Sequence, residues 1–252
     1  SEPFGTLFNQ GMILGEDGVK MSKSRGNVIN PDDMINQYGA DSVRLFEMFM
    51  GPLEATKPWS NEGIAGIHRF LSRVWRLIID QDTGGINKKI VNESPTNEEN
   101  RLIHTTIKKL TNDIEDGDMK FNTSIAQMMI FINELYKTEK ISKGIIEKFI
   151  LLLSPFAPHL SEEIWNRLGH NNTLAYESWP PYDEKFTKSN LITVAFSVNG
   201  KVRSKKEVEI DLSEKDLEQI ALDDDSVKKH ICGKQVVKII IVKNKMVNVV
   251  VK

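Results

Sequence analysis

The stretch KMSKSRGNVINPDDMINQYGADSVRL, residues 20–45, decides how the rest of the chain is read. It sets Lys20 and Lys23 three residues apart, with Met21 and Ser22 between them and Ser24 behind. Lysine carries a compact point charge suited to phosphate oxygens, and serine hydroxyls add donors. A flexible loop of this kind can close on a polyphosphate and stabilise charge that develops only in the transition state. A generic pair of lysines at this spacing is more often a solvated basic loop, so the spacing alone does not establish that chemistry. Beyond the loop, residues 30–45 carry strong helix signals. Asn30 suits an N-cap, Pro31 the first helical position, and Asp32 and Asp33 complement the helix dipole. Gly39 ends this helix, and a second is expected over about 41–50, before Gly51-Pro52. Upstream, residues 1–19 read as a strand or two, then a turn at Gly15-Glu16-Asp17-Gly18.

Downstream the period is helical. Ile64, Ile67, Leu71, Val74 and Ile78 line one face of a helix starting near Ser60. Residues 82–96 are Gly-rich and polar and read as a linker. Thr96 and Glu99 form a capping-box pattern ahead of the stripe Ile103, Ile107, Leu110, Ile114. Further stripes at 125–135 and 145–152, the latter stopped by Pro155, and a last one at 159–168 complete an antiparallel helix bundle. Residues 177–190, with Trp179-Pro180-Pro181 and a run of charges, read as a second linker. The period then switches to two, Ile192, Val194, Phe196 and Val198 alternating with Thr193, Ala195 and Ser197. Asn199-Gly200 signals a hairpin. A two-residue loop would set Val198 against Lys201. A three-residue loop would set Phe196 against Val202 and keep one apolar face, and it is the preferred register. A short helix from Ser213 and strands at about 236–242 and 246–251 make a small α+β domain. The expected fold class is therefore multi-domain and mainly α. A short α/β segment spans 1–58, a helical bundle 59–180 and an α+β domain 190–252.

Composition adds bounds. Of 252 residues, 40% are hydrophobic and 27% charged, ordinary for a globular chain. No apolar run approaches the roughly 20 residues of a membrane span, and no signal-peptide pattern opens the chain. The single Cys232 cannot close an internal disulfide, which fits a reducing cytoplasm, and a buried apolar role is expected for it. Residues 190–252 hold 12 Lys+Arg against 9 Asp+Glu although the whole chain has net charge −2, which points to a polyanion partner for that segment. On the strand after the Asn199-Gly200 hairpin, Lys201, Arg203 and Lys205 are expected to share one face, with Val202, Val208 and Ile210 on the other. Arg69, Arg73 and Arg76 recur at helical spacing, either a strip facing a nucleic-acid partner or a solvated face. Trp59, Trp75, Trp165 and Trp179 are read as packing or anchoring residues, Met128 and Met129 as core, and His159 as a cap or packing residue. One cysteine and five dispersed histidines give no zinc-ligand spacing, so no metal site is expected in this chain.

Lys20-Met21-Ser22-Lys23-Ser24 matches the second signature of the class I aminoacyl-tRNA synthetases, and the next residues, Arg25-Gly26-Asn27-Val28, also resemble that family. Gly39-Ala40-Asp41-Ser42-Val43-Arg44-Leu45 is similar to the family's next helix. Phe121-Asn122-Thr123 and Pro155-Phe156-Ala157-Pro158-His159 resemble the anticodon-binding bundle of its Leu/Ile/Val subgroup. Within the subgroup, residues 47–53 and 69–77 and Val198-Asn199-Gly200-Lys201-Val202-Arg203 resemble the bacterial leucyl enzymes most. The resemblance implies an ATP-binding, cytoplasmic, monomeric ligase. It would activate leucine with ATP and Mg2+ and transfer it to tRNALeu. Lys20 and Lys23 would act on ATP and the departing pyrophosphate, Lys23 above all, while Met21, Ser22 and Ser24 shape the loop. Asp41 and Arg44 would form an ion pair in the scaffold or touch tRNA. The C-terminal domain would dock on the corner of tRNA. The family's first signature, His-Ile-Gly-His, does not occur, which implies a C-terminal fragment that is inactive alone, with a mobile loop. The alternatives are the same region of an isoleucyl or valyl enzyme, or a non-catalytic tRNA-binding protein.

Overall fold

The computed structural model describes residues 3–5, 7–115, 119–187, 191–210 and 212–252. Two compact units divide the chain, Ser1–Thr187 and Lys188–Lys252. In the first, β1 (Ile13–Leu14) pairs in parallel with β2 (Lys57–Pro58), and between them lie α1 (Pro31–Tyr38) and α2 (Ala40–Phe49). The helix-start signals act as read: the Asn30 side chain accepts from Asp32 N at 3.2 Å, and Gly39 takes φ +85° at the end of α1. Gly11 is required by close approach, since a Cβ there would sit 2.3 Å from the Ala55 carbonyl oxygen.

The bundle comprises α3 (Asn61–Ile78), α4 (Asn97–Glu115), α5 (Phe121–Tyr136), α6 (Lys143–Leu153) and α7 (Pro158–Arg167). Its core is continuous with Val43, Leu45, Phe46 and Trp59, so the apolar interior runs through the expected boundary near residue 58. Ser60 caps α3 by accepting from Gly63 N at 3.1 Å. The capping box of α4 is reciprocal: Thr96 N donates to Glu99 Oε2 at 2.8 Å, and Glu99 N to Thr96 Oγ1 at 3.2 Å. Glu99 also accepts from Ser142 N at 2.8 Å, so one buried carboxylate ties the start of α4 to β4 (Ile141–Ser142). The Phe121-Asn122-Thr123 motif is structural. Phe121 meets Phe156 edge-on at 5.8 Å, and the Thr123 hydroxyl donates to the buried Asp113 carboxylate, which Lys109 also engages.

Residues 82–96 and the described part of the second expected linker, 177–187, are built into this unit. Within 82–96, β3 (Ile90–Val91) pairs in parallel with β4, and Ile86 and Ile90 pack on the core. Two apolar anchors in a polar stretch thus outweigh its turn-forming composition. Residues 177–187, including the one-turn α8 (Glu184–Thr187), lie along α4 as a strap. Trp179 Nε1 donates to Thr111 Oγ1 at 2.9 Å, Asp183 N donates to His104 Nδ1 at 3.0 Å, and Phe186 stacks on His104 at 5.0 Å. Residues 188–190 of the expected linker lie outside the described residues.

The second unit holds β5 (Leu191–Val198), β6 (Lys201–Glu209), α9 (Glu214–Asp223), α10 (Asp225–Ile231), β7 (Val236–Val242) and β8 (Met246–Val251), in sheet order β6-β5-β8-β7. Leu217, Ala221 and Val227 of the helices pack on Val194, Phe196, Val198, Val208, Val247 and Val249. The hairpin takes the two-residue loop, not the preferred three-residue one. Asn199 and Gly200 adopt φ +49° and +78°, Val198 faces Lys201, and Ser197 faces Val202. A bulge between Phe196 and Ser197 then leaves Arg203 unpaired and restores the core register with Phe196 opposite Ser204. Cys232 also departs from expectation. It is exposed at the C-cap of α10, where the chain leaves the helix towards Gly233.

Candidate active-site loop and nucleic-acid interface

The loop is built from a turn and a clasp. Gly18 N donates to Gly15 O at 2.9 Å and Gly15 N to Val19 O at 2.9 Å, closing the turn that enters it. Met21 packs on the core of the first unit, and Lys23–Arg25 form one 3-10 turn that Gly26 ends at φ +69°. The amide of Asn27 reaches back across the whole stretch: its Oδ1 accepts from Ser22 N at 2.9 Å, and its Nδ2 donates to the Asp17 carboxylate at 3.1 Å. The Asp17 carboxyl is held below the usual carboxylate range by the hydrogen bond from Val19 N and then by that from Asn27. The hydroxyls of Ser22 and Ser24 lie 3.2 Å apart. Lys20 and Lys23 are exposed, and among the described residues neither ammonium has an ion-pair or hydrogen-bond partner. The arrangement offers two free cations and two hydroxyls on one tethered loop, a set fitted to phosphate oxygens.

Behind the loop, Asp41 and Arg44 do not pair with each other. Asp41, 8% exposed, accepts from Leu160 N at 2.7 Å and from His159 Nδ1 at 2.8 Å, while Arg44 Nη2 donates to Pro155 O at 3.0 Å. Ala157 at the N-cap of α7 has no side-chain acceptor to offer, and Asp41 of α2 supplies one from across the core. His159, with its side chain 75% exposed, takes part in this cap as a donor to Asp41 and is not a packing residue, so only the capping half of the role expected of it applies.

Arg69, Arg73 and Arg76 are exposed on α3, as their spacing requires. Arg73 stacks over the Tyr136 ring at 4.6 Å, whereas Arg69 and Arg76 have no polar partner among the described residues. Arg76 borders a cleft of about 530 Å³ with His68, Trp75 and Gln81. Of the tryptophans, Trp59 meets Phe46 edge-on at 5.0 Å, Trp165 stacks on His170 at 3.7 Å, and Trp75 lies under Arg167. Met128 is buried, and Met129 packs against the same core.

In the second unit the bulge breaks the expected basic face. Lys201 lies opposite Val198, on the helix-covered side, while Lys205 lies opposite Ala195, on the other side, with Arg203 in the bulge between them. Val202 is 55% exposed rather than core, and Ile210 is exposed as well; only Val208 of the three is buried. Lys206, on the helix side, pairs with Asp224 at 3.3 Å. The strand registers place Lys238 of β7 on the same side as Lys205, together with exposed Val202 and Ile240.

Two family patterns match this chain. "tRNA synthetases class I (I, L, M and V)" matches residues 1–57, and "Anticodon-binding domain of tRNA ligase" matches residues 100–219. Among solved structures, one is the ternary complex of Agrobacterium radiobacter K84 agnB2 LeuRS with tRNA and LeuAMS. It is 30% identical with a TM-score of 0.69, and the similarity covers 100% of this chain and 34% of that one. The chain belongs to the class I tRNA synthetases. It spans about a third of the length of that LeuRS chain.

In this synthetase chain several residues matter that the sequence did not single out. Asn27 and Asp17 close the loop; the sequence showed one in the family-like run Arg25–Val28 and the other in the turn at 15–18, with nothing to pair them. Asp224 is buried and caps α10 by accepting from Ser226 N at 2.9 Å and Val227 N at 3.1 Å. Burial opposes its ionisation, yet the Val227 hydrogen bond and Lys206 together hold its carboxyl below the usual range. Among the described residues, no group of three or more His, Cys, Asp or Glu side chains could hold a metal ion. No helix of the described residues is long and apolar enough to cross a membrane.

Proposed function

We propose that this chain is the ATP-loop and tRNA-binding part of a leucine–tRNA ligase, a cytoplasmic monomer. One observation carries the reading: similarity to part of a LeuRS along the whole of this chain, whose Lys20–Ser24 loop presents two lysines unpartnered among the described residues. Lys23 and Lys20 neutralise the triphosphate and the departing pyrophosphate of Mg2+-bound ATP as leucyl-adenylate forms, and Met21, Ser22 and Ser24 hold the loop's shape. Lysines that engage only when charge migrates to the leaving group lower the barrier without tightening ground-state binding. The bundle, through Arg69, Arg73 and Arg76, and the C-terminal unit hold tRNALeu. On the latter, Lys205 and Lys238 share the helix-free side, while Lys201 and Arg203 contribute from the hairpin end.

The remainder of the active site, with leucine recognition, lies in the family's first-signature half, so these 252 residues alone make no adenylate. The test has two arms. The isolated chain should show no leucine-dependent ATP–pyrophosphate exchange but should bind tRNALeu with a steep salt dependence. Joined to the first-signature half, it should charge tRNALeu with leucine and not isoleucine or valine. Robust exchange by the isolated chain, or charging with another amino acid, overturns the reading.

A further inference from the structure

We propose that Asn27 is a positioning residue for the ATP loop: with Asp17 it clasps residues 20–26 into a closed ring that sets where Lys20 and Lys23 stand. The inference rests on the ATP-binding role proposed for residues 20–24. The clasp's geometry is specific to an amide. One side chain must accept from Ser22 N, at 2.9 Å, and at the same time donate to the Asp17 carboxylate, at 3.1 Å. A carboxylate at 27 could only accept, and would face Asp17 as a like charge. A longer side chain would overshoot.

The neighbours are cut to fit the clasp. A Cβ on Gly15 would lie 2.7 Å from Asp17 Oδ1, 2.9 Å from Asn27 Nδ2 and 3.1 Å from the Asn27 carbonyl oxygen, so residue 15 leaves room for the crossing. Asp17 is oriented in turn by Val19 N, which donates to its Oδ1 at 3.1 Å. Met21 fastens the ring to the core while the two ammoniums stay free. A ring closed at its neck loses little further entropy when the lysines meet a polyphosphate, and a lysine misplaced by about 1 Å forfeits much of its effect on the transition state.

The signature of positioning is a fall in kcat that outruns any change in KM for ATP. In the protein carrying this chain together with the first-signature half, Asn27→Ala and Asn27→Asp should each lower kcat of leucine-dependent exchange roughly 30- to 100-fold, with KM for ATP within about threefold and the thermal midpoint unchanged. The exchange of roles, Asp17→Asn with Asn27→Asp, rebuilds the donor and acceptor pair and should recover kcat to within about threefold of wild type. Wild-type kcat in Asn27→Ala, or a double variant no better than Asn27→Asp, overturns the proposal. Trypsin cleavage at Lys20, Lys23 and Arg25 in the 252-residue chain tests the clasp without any assay of catalysis. Asn27→Ala should be cut faster and the double variant at the wild-type rate, and equal rates in all three refute the clasp. Exchange absent from the wild type, with trypsin rates as expected, removes the functional reading and leaves the ring as a structural feature only.

Discussion

Replacing Asp41 by alanine tests the way α2 holds α7. The carboxylate is 8% exposed and takes hydrogen bonds from Leu160 N at 2.7 Å and His159 Nδ1 at 2.8 Å, with His159 N at 3.4 Å as a weaker third. Truncation leaves the first turn of α7 without an acceptor, because Ala157 and Pro158 have none in their side chains. Losing a cap of this kind costs about 1–2 kcal/mol, and hydrogen bonds to a charged acceptor about 1.5–3 kcal/mol. These describe the same carboxylate and do not add, so about 2–3 kcal/mol is expected for Asp41→Ala. Asp41→Asn keeps the shape but turns one acceptor into a donor facing another donor, and about half that loss is expected. Arg44→Ala, at an exposed site with one bond to Pro155 O, should cost under about 1 kcal/mol. Trp59, Trp75, Trp165 and Trp179 all lie in the first unit, so tryptophan fluorescence during urea unfolding reports that unit alone. With a slope of about 3 kcal/mol per M, Asp41→Ala should lower the midpoint by about 0.7–1 M. A shift below about 0.2 M, or Arg44→Ala matching Asp41→Ala, would refute the cross-core cap.

The remaining predictions concern charge. Lys23→Ala in the protein that carries the first-signature half should lower kcat of adenylate formation by about 10²–10³, with tRNA affinity unchanged in a filter-binding assay. Lys205→Glu should weaken tRNA binding and reduce the salt-dependence slope by about 1, whereas Lys206→Glu should chiefly loosen the second unit through Asp224, seen as faster amide exchange in α10. Burial, and then the nearby Lys148, hold the His104 pKa below the ordinary histidine value of about 6.5. Its Nδ1 must stay unprotonated to accept from Asp183 N. With the folded value depressed, the unfolded form takes up protons first, so stability from the strap at 177–187 falls as pH drops below about 6.5. Tryptophan emission should shift to the red as pH falls below about 6.5 in wild type, and the part of that shift lost in Trp179→Phe should be lost in His104→Gln as well.

What the sequence made legible is whatever depends on near neighbours. The Asn30-Pro31 helix start, the Thr96–Glu99 capping box and the apolar stripes of α3 to α7 all arise from spacings of a few residues, and the structure keeps them. The departures share another cause. A three-residue hairpin loop would keep Val202 inside, but β8 decides the register. The Asn199 amide donates to Val251 O at 3.1 Å and accepts from Val251 N at 2.9 Å, and Gly200 N donates to Asn248 Oδ1 at 2.9 Å. Those bonds reach about 50 residues along the chain and fix the two-residue turn; the bulge then absorbs the mismatch. The strap is legible in part, since Trp179, Tyr182 and Phe186 are aromatic anchors in a stretch whose prolines and charges read as a linker. In the candidate site the lysines can be read off directly. The clasp cannot, because an asparagine between Gly26 and Val28 looks like ordinary turn chemistry until its amide is seen crossing to Asp17.

Asp41 and the loop are joined by more than adjacency in sequence. Met21 packs on the same core as Met34 of α1 and Val43 of α2, and α1 passes into α2 through Gly39 alone. α2 is in turn fixed to the corner at 155–160 by Asp41 and Arg44. Two motifs more than 100 residues apart, Gly39–Leu45 and Pro155–His159, are therefore one joint, with each supplying what the other lacks. A carboxylate is needed where α7 has no cap, and a free carbonyl at Pro155 is met by a guanidinium. The lysines of the loop thus take their place relative to the bundle from that joint, and their local geometry from the clasp at Asn27. Damage at the two points should differ in kind. A weakened joint lowers the stability of the whole first unit, whereas an opened clasp leaves the fold intact and misplaces two charges.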